Sequence, residues 1–189
     1  MHLHPRAVFF VSRLALQACA FGLLLNAAAL SPAAQSDQSQ TVTFQVNGVL
    51  SIDADTQNFT LTFGRFEKGT DSNTQTVLYQ IKCNTMTPAQ LKGAVAARIG
   101  SAIDGIDLKA DVGEYQNSGS PGNGILTESF AGFGVVAESL QGLADKPATS
   151  GSQAKILHGQ LPVTWKASAK EDLSSGTYQT QITVTLKDS

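Results

Sequence analysis

Two cysteines, three histidines and one tryptophan are all that the 189 residues carry of those types. Cys19, His2 and His4 fall in the first 34 residues, so beyond them His158 and Cys83 stand alone. A lone histidine cannot build a histidine-based zinc site. A Ser-His-Asp arrangement would have to use His158, yet no nucleophile-elbow motif accompanies it, and it reads as a strand-edge residue. A single cysteine has no partner for an internal disulfide. It alternates with Val77, Tyr79 and Ile81, which marks Cys83 as a small buried hydrophobe.

Charge is scarce as well. Charged residues make up 15% of the chain, the net charge is −2, and Ser, Thr, Gln and Asn carry most of the polarity. No basic patch interleaved with aromatics exists, so nucleic-acid binding has no electrostatic support. Asp53 and Asp55 in "DADTQN" fail the calcium-loop pattern, because Gln57 and Asn58 replace the ligand and the glycine that it needs. They read as a polar turn. "FAGFGVV" lacks the preceding strand and downstream acid of a dinucleotide site. No cofactor, metal or catalytic residue is expected, and the chain reads as non-enzymatic.

Long apolar runs are missing except at the start. Residues 1–34 read as a cleaved signal peptide: Arg6 and Arg13 flank a basic start, Leu14 to Leu25 forms the apolar core, and "NAAALSPAAQS" supplies small residues for cleavage. The run is shorter than the ~20 residues a membrane span requires, so no span is expected after cleavage. Export to the periplasm and then the cell surface follows. Loss of Arg6 and Arg13 takes the net charge from −2 to −4. About 155 residues remain, enough for one sizeable core.

What fills that remainder is period-two alternation, the mark of half-buried strands. It runs through Phe59, Leu61 and Phe63; Val77 to Cys83; Ile106 to Val112; Leu161 to Ala167; and Tyr178 to Leu186. "LKGAVAARI" at 91–99 alternates too, although Thr87-Pro88 could cap a short helix there. Pro162 marks an edge position. Residues 116–124 and 144–153 read as loops, and 130–144 as a short strand followed by a helical turn. The expectation is an all-β, antiparallel, immunoglobulin-like sandwich of seven to eight strands over 49–189.

"SQTVTFQVNGVLSIDA" at 39–54 departs from a simple hairpin. A two-residue turn at Asn47-Gly48 would pair Phe44 with Ser51 and Val42 with Asp53, mixing apolar with polar on both faces. A continuous strand instead puts Val42, Phe44, Val46, Gly48, Leu50, Ile52 and Ala54 on one face over roughly 40 Å. That is long for a small sandwich, and Gly48 permits a kink or a close approach. Two collinear pieces are expected, joined at Asn47-Gly48, with 35–48 as an N-terminal extension. The sequence stops soon after its last alternating run, which suggests a sandwich lacking a final strand. Val42, Phe44 and Val46 could fill that gap in a neighbouring copy by strand addition, or close their own fold.

The order of "FTLTFGRF", "VLYQIKCN" and "SGTYQTQITVTL" resembles the exported fimbrial-type sandwiches of bacteria, namely the alpha-fimbriae of the coli surface antigen group and the spore coat protein U family. Phe63-Gly64 is similar to their "FG" step, Tyr79 and Asn84 to their "Y-x-V-x-x-N", and Gly176-Thr177-Tyr178 to the start of their closing strand. The resemblance implies a pilin-like structural subunit, a homo-oligomer or filament, assembled by donor-strand exchange with a periplasmic chaperone and an outer-membrane usher. The alternative is a monomeric, adhesin-like module that binds carbohydrate or matrix through loops 116–124 and 144–153.

Overall fold

The structure is a computed structural model that describes residues 41–129, 131–151 and 153–189. The expected signal peptide and residues 35–40 of the extension lie outside the described residues. Among the described residues there are ten strands: β1 (Leu50–Ala54), β2 (Gln75–Cys83), β3 (Leu91–Ile99), β4 (Ile106–Val112), β5 (Gln116–Asn117), β6 (Thr127–Glu128), β7 (Gly134–Val135), β8 (Gln141–Lys146), β9 (Leu157–Ala169) and β10 (Ile182–Leu186). Three of these span only two residues. A 3-10 turn at Gln153–Lys155 precedes β9.

The strands form two antiparallel sheets. One runs β1-β2-β9-β4-β7, with β5 also on β9; the other runs β10-β3-β8-β6. The expected all-β antiparallel sandwich is what the structure shows. Its core follows the alternation. Val77, Tyr79, Ile81 and Cys83 on β2 face the core beside Leu157, Leu161, Val163 and Trp165 on β9, and Leu108, Ala110 and Val112 continue the layer on β4. Val95, Ala97, Leu143 and Leu186 cover them from the second sheet. Cys83 is free and buried. Residues 91–99 form a strand, not a helix. Gly93 takes a positive φ of 60° there, its backbone runs against Gly142, and the β3–β8 register shifts between Leu91 and Val95, the stretch that contains it.

Several expectations need correction. Phe59, Leu61 and Phe63 do not form a ladder strand. The Asp55 carboxylate accepts the Leu78 N–H at 3.0 Å, where the Asp55 carbonyl would have continued the β1–β2 ladder. The chain leaves the sheet there, and Phe63 makes only an isolated bridge to Ser72. The apolar face is nonetheless used: Phe59 and Leu61 pack half-buried on the core, with the Phe59 ring 6.4 Å from that of Trp165. The closing strand starts at Ile182 rather than Tyr178, which is exposed and donates its hydroxyl to the Ser174 carbonyl. The described residues 131–144 hold β7 and the start of β8 and no helical turn, so the loop expected from 144 begins after Lys146. The 116–124 loop opens with the short β5.

Pro162 is not at a sheet edge. It lies on the central strand β9, opposite Leu78. Its other flank faces the break where β4 ends at Val112 and β5 begins at Gln116. Its carbonyl accepts the Gly113 N–H there at 2.9 Å. The missing proline N–H thus falls in a gap of the ladder, where it breaks no pairing.

Burial pushes the Tyr79 and Tyr115 hydroxyls up to about 12, from an ordinary 10.0. Between those values the unfolded chain loses protons that the folded chain keeps, so the stabilisation is complete below pH 10 and is lost as the pH rises toward 12. Urea midpoints measured from pH 9 to pH 12 are expected to fall more steeply for the wild type than for a Tyr79→Phe/Tyr115→Phe variant.

Candidate functional site

The predicted donor residues are exposed. Val42, Phe44 and Val46 are 67%, 88% and 83% exposed. Residues 41–49 have no strand assignment, and the ladder begins only at Leu50. No intramolecular hairpin forms at Asn47-Gly48: neither residue has a positive φ, which type I′ and II′ turns require.

Two unpaired edges lie beside the start of this extension. Among the described residues, β1 bonds only to β2 in the first sheet and β10 only to β3 in the second. The two edges approach each other across the mouth between the sheets. Both turn core-facing residues toward that mouth. Leu50, Ile52 and Ala54 sit opposite the buried Cys83, Ile81 and Tyr79. Ile182, Val184 and Leu186 sit opposite Ile99, Ala97 and Val95. These rows share a face with the core, yet Ile52, Ala54, Ile182 and Val184 are only half-buried, and Leu50 remains 45% exposed. An edge strand with an uncovered apolar flank is a template for a further strand.

The loop after β2 fixes both chain segments at one end of this opening. The Asn84 amide group accepts the Val49 N–H at 2.6 Å through Oδ1 and donates to the Asn47 carbonyl at 3.0 Å through Nδ2. The Asn84 N–H donates to the Val49 carbonyl. Thr85 donates its hydroxyl to Asp188 Oδ2 at 2.7 Å, and the Thr87 N–H reaches the Asp188 carbonyl. Gly48 lies flat against this loop; a Cβ there would sit 2.8 Å from Thr85 Cγ2. The close approach expected of Gly48 is therefore an approach to Thr85. Asn84 entered the sequence reading only through a motif resemblance, and nothing in the periodicity pointed to its clamp.

The two loops proposed for a binding module meet elsewhere. Ser118, Ser120, Asn123, Gln153, Ile156 and His158 line an open cleft of about 480 Å³. No Asp, Glu, Lys or Arg is among these lining residues, so the cleft suits a polar ligand without a strong charge. The Ser118 N–H donates to the His158 carbonyl and the Gly124 N–H to the Ile156 carbonyl, which ties the 116–124 loop to the chain entering β9. Trp165 is fully buried and takes no part. Lys146, absent from the sequence reading, is also fully buried; its ammonium group donates to the Ala89 carbonyl and to Thr149 Oγ1, and burial lowers its pKa.

Among the described residues, no group of three or more His, Cys, Asp or Glu is placed to hold a metal ion, and no helix is long and apolar enough to cross a membrane. Asp55 is engaged with the Leu78 N–H. Comparison with protein-family models, with curated proteins and with solved structures found no match.

Proposed function

We propose that this chain is a non-enzymatic structural subunit of a bacterial surface filament or coat, similar to a fimbrial subunit, which assembles by donating residues 41–46 to the next copy. One observation carries the reading: among the described residues, an exposed apolar row, Val42, Phe44 and Val46, occurs together with two unpaired edges that have half-covered core residues. A strand added along the open edge of β1 or of β10 would supply backbone partners to that edge and lay its apolar row beside the half-covered core residues. The donating and accepting surfaces are different patches, so the contact is head-to-tail and propagates as a fibre rather than closing as a dimer. Export, a periplasmic chaperone that shields the open edges and an outer-membrane usher fit this reading.

Size-exclusion chromatography with light scattering tests it on the exported chain, unboiled, over a range of concentrations. A ladder of oligomers is expected. A folded monomer at every concentration would favour the second reading, a secreted binding module whose site is the uncharged cleft at Asn123, Gln153 and His158, with a neutral saccharide as the matching ligand.

A further inference from the structure

We propose that residues 42–54 pair antiparallel with the same residues of a second copy about a two-fold axis at Gly48, in a closed dimer that withholds the donor row from the fibre. The inference rests on the donation reading for that consequence, since it names what else the row of Val42, Phe44 and Val46 binds.

The β1–β2 ladder commits the odd-numbered residues. The Asn84 N–H donates to the Val49 carbonyl at one end of it and the Asp55 N–H to the Leu78 carbonyl at the other. Alternate residues of a strand turn their polar groups to opposite sides, so Leu50, Ile52 and Ala54 present theirs away from β2. Among the described residues no strand takes them up. The segment that fails as a hairpin within one chain is self-complementary between two. Centred on Gly48, an antiparallel pair sets Val42 against Ala54, Phe44 against Ile52, Val46 against Leu50 and Gly48 against its own copy. Directly opposed residues share a face, so the apolar row continues the core side of the first sheet. A slip of one residue mixes the faces, and a slip of two leaves Val42 or Ala54 without an apolar partner. The exposed Asp53 falls opposite Thr43, so no two carboxylates oppose each other. Neither Asn47 nor Gly48 has a positive φ, as a strand that runs through the axis requires. Val46 and Leu50, opposed in this register, are both exposed in the single chain. The two open edges then differ. Pairing at β1 is reciprocal: each copy lends its extension to the other's β1, and the contact closes at two copies. Addition at β10 is not reciprocal and propagates. One row cannot occupy both edges, so the dimer is the resting form and the fibre grows from copies that leave it.

Disulfide trapping tests the register on the exported chain carrying Val46→Cys and Leu50→Cys, with Cys83→Ser, oxidised in dilute solution. Opposed residues of a hydrogen-bonded pair stand about 5.5 Å apart at Cα, within disulfide reach. Residues 46 and 50 of one extended strand are roughly 13 Å apart, so they cannot join inside a chain. A covalent dimer without trimer is expected on a non-reducing gel. Moving the second cysteine from Leu50 to Ser51, which faces the other side of the sheet, is expected to abolish it. Phe44→Cys with Ile52→Cys repeats the test at a second opposed pair if the first variant does not fold. Monomer after oxidation of both pairs would overturn the proposal, as would a covalent ladder, which only one-sided pairing on β1 produces. Light scattering separates this outcome from that of the filament reading: the locked dimer is expected to stay at two copies at every concentration, and to assemble further once reduced. If the crosslink forms and wild type never exceeds two copies, the dimer stands and the filament reading fails. If wild type grows into a ladder and neither pair crosslinks, the filament reading stands and the dimer fails.

Discussion

Replacing Phe44 and Val46 together with aspartate is expected to abolish oligomer formation while leaving the monomer folded. Both side chains are almost wholly exposed, so the sandwich loses no core contact when they change. In the proposed junction each would be buried, worth about 1.5–3 kcal/mol. Losing two such contributions weakens association by roughly two to four orders of magnitude. A carboxylate carried into the mouth between β1 and β10 would add a desolvation cost, because no lysine or arginine stands among the core-facing residues of those edges. Circular dichroism and light scattering read the two halves of this expectation separately. A variant that stays oligomeric would place the junction elsewhere on the molecule.

The second large effect is Trp165→Ala, expected to cost roughly 3–5 kcal/mol of folding stability. Trp165 is fully buried on the central strand β9, between Gln75 of β2 and Ala110 of β4 in register, and Phe59 stacks against it. Truncation would leave a cavity between β2, β4 and Phe59 that these neighbours cannot fully collapse into. Against a total stability of about 5–15 kcal/mol, this variant loses a large share of its folded margin. Denaturant unfolding checks it, with a lowered midpoint and an unchanged slope. A loss below about 1 kcal/mol would show that the core repacks around the gap.

The strands with one buried face were legible because alternation is a direct consequence of strand geometry. Val77 to Cys83 and Ile106 to Val112 are found where the pattern placed them. The same pattern at Phe59 to Phe63 misled on pairing, since an alternating segment can pack on a core without a ladder partner. Asp55 ended that ladder through one side-chain bond, which periodicity cannot register. Pro162 misled for a related reason: its lost donor is harmless wherever the neighbouring strand is interrupted, and an edge is only one such place. Parity was the more informative guide at 42–54, where it argued against the hairpin that Asn47-Gly48 by itself suggests, and the structure has no such turn. The Asn84 clamp and the buried Lys146 depend on contacts between residues far apart in sequence. Neither leaves a local signature.

Disulfide trapping between two differently tagged copies tests strand donation most directly. One copy carries Phe44→Cys and the other Val184→Cys, both with Cys83→Ser to remove the native thiol. Strand donation predicts a covalent dimer that contains both tags, lost when Val46 in the first copy is also made aspartate. No mixed dimer, together with an efficient crosslink inside a single chain carrying both cysteines, would show that residues 41–46 close their own sandwich and would contradict the account.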